Sequence, residues 1–147
     1  MKKLIYLILI TSIAIYSCGG KNDGIRNDEE ADSSKTCVEI LYFHGDMRCK
    51  NCYAMEKGVS ELLDEKFNEE VKSGRLVFKK IDITSPDGEK VADHYGVTWS
   101  SLYINNWKNG KETREDLTRF GMKNAAKRPD IFKDEMEQKI KKNINSL

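Results

Sequence analysis

The chain has almost no excess of either charge. Its 25 Lys and Arg stand against 24 Asp and Glu, a formal net charge of +1, so the balance implies neither nucleic acid nor an acidic polymer as partner. It also lacks a long apolar run. The stretch Leu4–Ile15, broken only by Thr11 and Ser12, falls short of the roughly 20 residues a membrane-spanning helix needs. No glycine-rich phosphate loop, pair of catalytic carboxylates or Ser-His-Asp constellation is present. There is no second CxxC and no HxxxH, so the four ligands of a structural zinc site are missing. No internal repeat appears. What remains is a chain of 147 residues, 33% of them charged, which fits one soluble domain with accessory segments.

The accessories lie at the N-terminus. Lys2 and Lys3 precede the apolar run, and that order is the layout of a signal peptide. The run ends at Ile15-Tyr16-Ser17-Cys18-Gly19, which resembles a bacterial lipobox. The resemblance implies cleavage after residue 17 and lipidation of Cys18, although Tyr16 is a looser fit than the usual small or aliphatic residue. Residues 18–36 are rich in Gly, Asn, Asp, Glu, Ser and Lys. Such a composition buries too little surface to offset its ordering entropy, so it reads as a flexible tether. The folded domain is expected over residues 37–147, in the cell envelope, held to a membrane and facing the periplasm or the cell surface.

The most informative stretch of the domain is Cys49-Lys50-Asn51-Cys52. It follows a β-rich run, Val38–Phe43, and precedes a helical pattern. A strand that delivers CxxC to a helix start places the first sulfur beside unpaired amide N–H groups and the positive end of the helix dipole. Both stabilise the thiolate, the form that attacks disulfides. Arg48 and Lys50 flank Cys49 and should lower its pKa further, giving a comparatively oxidising couple. Cys52 is the resolving thiol. A permanent structural bridge over so short a loop would stabilise little. Cys49, Cys52 and His44 form an alternative soft-ligand set for copper or zinc. With Cys18 assigned to lipid, Cys37 is left over; it reads as a small buried residue at a strand start, or else as a mixed-disulfide or dimer site.

The remaining pattern orders the elements. Val59, Leu62, Leu63, Phe67 and Val71 recur at helical intervals, and Ser73-Gly74 stops that helix. Leu76–Ile83 reads as a strand, Ser85–Gly88 as a turn, and Glu89–Tyr95 as a short helix closed by Gly96. A third strand falls between Val97 and Trp107. Asn109-Gly110 signals a hairpin into a polar edge strand running from Lys111 to about Thr118. Arg128-Pro129-Asp130 opens a last helix with an apolar stripe at Phe132, Met136, Ile140 and Ile144.

This β-α-β-α-β-β-α order resembles thioredoxin. The residues that carry the resemblance are the CxxC itself, Glu89-Lys90-Val91-Ala92-Asp93-His94-Tyr95-Gly96-Val97, and the hairpin Trp107-Lys108-Asn109-Gly110-Lys111. The resemblance covers nearly the whole domain. It implies an α/β fold, a three-layer α/β/α sandwich around a four-stranded mixed sheet. The stretch Tyr42–Cys52 with Glu56 is similar to a group of small bacterial lipoproteins of Bacteroidetes type, some labelled as subunits of a nitrophenyl compound nitroreductase.

Two departures bear on the site. Thioredoxins carry a cis-proline before the third strand, facing the CxxC. Here Val97–Leu102 has no proline, and Ser100 or Ser101 falls at that position. Thioredoxins also bury an aspartate beneath the second cysteine, where this chain has Leu41-Tyr42-Phe43. Glu56, His44 or Asp46 could take its proton role. The expected catalytic set is Cys49, Cys52, Glu56 and His44, with Trp99, Ser100, Ser101, Lys50 and Asn51 contacting substrate. The reaction implied is thiol–disulfide exchange with protein cysteines or a redox partner protein. It needs no cofactor beyond the Cys49–Cys52 disulfide. The alternative is a non-enzymatic accessory or metal-binding subunit.

Overall fold

A computed structural model describes residues 34–147; the signal segment, Cys18 and most of the tether lie outside them. The elements run β1 (Cys37–His44), α1 (Lys50–Lys66), α2 (Asn68–Lys72), β2 (Leu76–Asp82), α3 (Pro86–Tyr95), β3 (Ser101–Lys108), β4 (Lys111–Asp116), α4 (Thr118–Asn124) and α5 (Pro129–Ile144). The sheet order is β2-β1-β3-β4. β1 pairs in parallel with β2 and antiparallel with β3, and β3 pairs antiparallel with β4. This is the mixed four-stranded sheet of the thioredoxin-like fold, with the order expected from the sequence and two short helices added. No helix among the described residues is long and apolar enough to cross a membrane.

β1 is the central strand because both of its faces are apolar. Successive side chains of a strand point to opposite sides. Val38, Ile40 and Tyr42 accordingly join Met55, Val59 and Leu62 of α1 and Phe132, Met136 and Ile140 of α5 in the larger core. Leu41 and Phe43 face the other way, against Ala92 and Val97 at α3. The three layers therefore meet on one strand, whose C-terminal end points at the CxxC.

Several boundaries differ from expectation. The long helix expected to run to Val71 breaks at Phe67, whose side chain turns into the core. Val71, placed on the apolar stripe by spacing, is exposed. Pro86 does not end a turn but opens α3. Ser85 caps that helix by accepting the Gly88 N–H at 3.1 Å, and Pro at a first helical position forfeits no hydrogen bond. α4 is an element the sequence pattern did not reveal. Leu102 N–H donates to Thr118 Oγ1 at 3.0 Å, and Leu117 N–H donates to the Leu102 carbonyl at 2.8 Å, so β3 itself anchors the start of α4. The Asn109-Gly110 hairpin forms as expected, with φ of 51° and 73°, the left-handed pair that a tight two-residue turn requires.

The body also begins slightly before residue 37. The Lys35 carbonyl accepts the Gly110 N–H at 2.9 Å, and its ammonium lies 3.7 Å from the centre of the Trp107 ring. Lys35, Lys79 and Trp107 converge on Glu39, a buried carboxylate on the α3 side of the sheet. Cys37 is fully buried.

Candidate active site

Cys49 is the N-cap of α1, in extended conformation, and its Sγ accepts the backbone N–H of Cys52 at 3.2 Å. A sulfur in that position takes up one of the amide donors that a helix start leaves unpaired. No acidic residue stands in the first turn of α1 to oppose negative charge there. Cys49 and Cys52 are joined in a disulfide, with their Cα atoms 5.0 Å apart. Cys49 is exposed and Cys52 is 4% exposed. Of the two sulfurs, Cys49 Sγ is therefore the one open to an incoming thiolate.

Beneath the disulfide lies a polar junction that sequence reading did not assemble. The Tyr42 hydroxyl donates to the Cys52 carbonyl at 2.9 Å and accepts from Arg48 Nη2 at 3.3 Å. Arg48 Nη2 also forms an ion pair with Glu56 Oε2, while Lys80 Nζ reaches Glu56 Oε1 at 3.0 Å. The guanidinium carbon lies 4.4 Å from the centre of the Tyr53 ring. Partial burial would raise the Glu56 pKa, but hydrogen bonds and charge from Arg48 and Lys80 outweigh it and hold the carboxyl below its usual range. Burial raises the Tyr42 pKa against the lowering pull of Arg48. Arg48 was expected to lend its charge to Cys49. Its guanidinium is instead turned under the loop and neutralised by Glu56, which leaves the helix terminus and Lys50 as the uncompensated positive influences.

The other expected site residues separate into two groups. Trp99 and Ser100 line a groove of about 630 Å³ that runs over Cys49 and Cys52, with Met47, Thr98 and Met122. Ser101 opens β3 and lines an adjoining groove instead. Every peptide bond among the described residues is trans, so the loop at Ser100 and Ser101 turns without the cis bond of the thioredoxin pattern. Lys50 and Asn51 begin α1; Lys50 is exposed and Asn51 partly buried. His44 ends β1, pairs in register with Asp82 and sets its ring 5.8 Å from that of Tyr42. It does not line the disulfide groove. Among the described residues no three His, Cys, Asp or Glu side chains gather closely enough to hold a metal ion. The alternative ligand set of Cys49, Cys52 and His44 is therefore not assembled. Asp46 lies at the groove rim, where its Oδ1 accepts from Thr84 Oγ1 at 3.4 Å.

No family model matches the chain, and no curated protein sequence matches it. Solved structures do. A malarial protein is 18% identical, with 73% of this chain and 97% of that one aligned at a TM-score of 0.46. A thioredoxin from Thermus thermophilus is 22% identical over 69% of this chain and 72% of that one, at 0.47. Fasciola hepatica thioredoxin is 19% identical over 74% and 83%, at 0.45. The fold assignment stands on the strand order and helix placement described above.

Proposed function

We propose that the protein is a thiol–disulfide oxidoreductase of the cell envelope, tethered to a membrane through lipidated Cys18. The observation that carries the redox reading is the placement of Cys49. Its sulfur is exposed, caps α1, accepts an amide hydrogen bond and is bonded to a buried partner sulfur one helical turn on. The reading of export and tethering is supported by the run from Lys2 to Cys18, which lies outside the described residues.

The exchange balances with no cofactor. A substrate thiolate attacks Cys49 Sγ, the Cys49–Cys52 bond breaks, and Cys52 leaves as a thiolate and takes a proton. A second substrate thiol loses its proton and attacks the first substrate sulfur, expelling the Cys49 thiolate. The substrate dithiol is oxidised by two electrons and the protein disulfide is reduced; every step also runs in reverse. In each direction the charge that forms at Cys49 sits against the Cys52 N–H and the α1 terminus. Glu56, the carboxylate in the junction beneath the disulfide, is committed to two cations. The Cys52 proton is therefore exchanged with water or with the substrate thiol.

The test is turnover of a disulfide-linked peptide by the chain lacking residues 1–17. Cys49→Ser should abolish turnover, and Cys52→Ser should accumulate a mixed disulfide through Cys49. Turnover that persists in Cys49→Ser would end the reading. Tight binding of a partner protein without turnover would favour an accessory redox subunit, akin to the nitroreductase-subunit group. For the tether, Cys18→Ser should move the protein from the membrane to the soluble fraction.

A further inference from the structure

Two grooves meet at Trp99 and Met122. One runs over the disulfide. The other, about 590 Å³, lies on the far side of those two side chains, where α4 carries Arg119 and Lys123. Trp99 and Met122 line both grooves, and Trp99 keeps 59% of its surface exposed. They form an apolar ridge between the reactive sulfurs and a charged shelf.

The shelf has a surplus of positive charge. Arg119 and Lys123 are four residues apart, so they share one helix face. Both are exposed, and neither has an ion-pair partner among the described residues. The contrast with α5 is clear: Lys133 and Lys139 there each reach two carboxylates. The one carboxylate lining the groove is Asp116, which accepts the Thr118 N–H at 2.8 Å and so closes its own turn.

We infer that a substrate polypeptide crosses the Trp99–Met122 ridge and sets acidic side chains against Arg119 and Lys123. The inference rests on the redox reading above and gives it a substrate class: cysteines followed, on one side only, by Asp or Glu. An extended chain advances about 3.3 Å per residue. The acidic residues would therefore stand several positions from the reacting cysteine, beyond the ridge. An interaction of this kind acts on orientation and encounter rate more than on affinity, and salt weakens it.

The experiment uses the chain of residues 18–147 in its reduced form. The probes are single-cysteine peptides carried as mixed disulfides with the neutral thiol 2-mercaptoethanol. They are identical except for paired Asp, Asn or Lys, placed on either the N- or the C-terminal side of the cysteine. The readout is the second-order rate of peptide thiol release. In one orientation the Asp peptide should react about ten-fold faster than the Lys peptide at low salt. The ratio should approach one in high salt and invert in the Arg119→Glu/Lys123→Glu chain. Lys72→Glu, a charge change on α2, should keep it. Equal rates for all peptides, a preference in both orientations, or one that survives the charge reversal would sink the docking inference and leave the redox reading intact. Release of no peptide at all would overturn both.

Discussion

The Tyr42 hydroxyl donates to the main-chain carbonyl of Cys52 at 2.9 Å. It also accepts from Arg48. One oxygen thus ties the central strand to the first turn of the redox helix and to the loop that precedes it. Tyr42→Phe keeps the ring in the core but leaves the Arg48 donor and the Cys52 carbonyl short of a partner. Loss of a buried hydrogen bond of this kind costs about 1–3 kcal/mol. Urea unfolding of the oxidised protein should show that loss, with an unchanged slope against denaturant. A variant as stable as the parent would mean that the junction contributes nothing to the fold.

Glu56 holds the charge of Arg48 away from the sulfurs. Glu56→Gln removes the carboxylate and leaves the guanidinium of Arg48, the residue before Cys49, without that counter-charge. Positive charge near a thiol favours the thiolate. The reduced Cys49 thiol should become more acidic, with the couple becoming more oxidising. Thiolate ultraviolet absorbance against pH measures the first effect, and equilibration with dithiothreitol measures the second. If Glu56 instead accepts the Cys52 proton, the same variant slows exchange and leaves the Cys49 pKa where it was.

Glu39 links stability to acid. Burial would raise its pKa, but the Lys79 and Lys35 ammonium groups outweigh burial and hold the carboxyl below its ordinary range. A carboxylate whose folded pKa is depressed contributes stability that is fully present above its unfolded pKa. That stability is lost as pH falls through the folded value. Glu56 has the same sign. Unfolding free energy should therefore hold steady from neutral pH to about pH 5 and drop below about pH 4. In Glu39→Gln the acid drop should be shallower and the neutral-pH stability lower. An acid limb equally steep in the variant would remove Glu39 from this account.

The parts of the fold that were legible in the sequence are those written in local signals. The β-rich run Val38–Phe43, the Asn109-Gly110 turn and the stripe Phe132, Met136, Ile140 and Ile144 each state their structure within a few residues. All three stand where they were expected. α4 was not legible because its reasons are distant. Thr118 is held by Leu102, and Gly121 lies so close to the Met55 sulfur that a Cβ there would overlap it. The break at Phe67 has the same origin, since the core takes its ring and the helix yields. At the site, the CxxC spacing foretold the disulfide and its place at the start of α1. The pairing of Arg48 with Glu56 joins a loop to a helix face, and Lys80 arrives from another strand. No spacing rule covers such a meeting, so the sequence showed Arg48 only as a neighbour of Cys49 and Glu56 only as a residue on the Cys52 face of α1.

β4 reads Lys111-Glu112-Thr113-Arg114-Glu115-Asp116 and forms one border of the sheet. Among the described residues no strand pairs with its outer row, and an open row invites another chain to add itself as a fifth strand. Charges of both signs along that border make such an addition costly in desolvation for an apolar segment. The opposite border, β2, carries Lys79, Lys80 and Asp82 and guards itself in the same way. Lateral growth of the sheet, and the aggregation that follows from it, is discouraged on both sides.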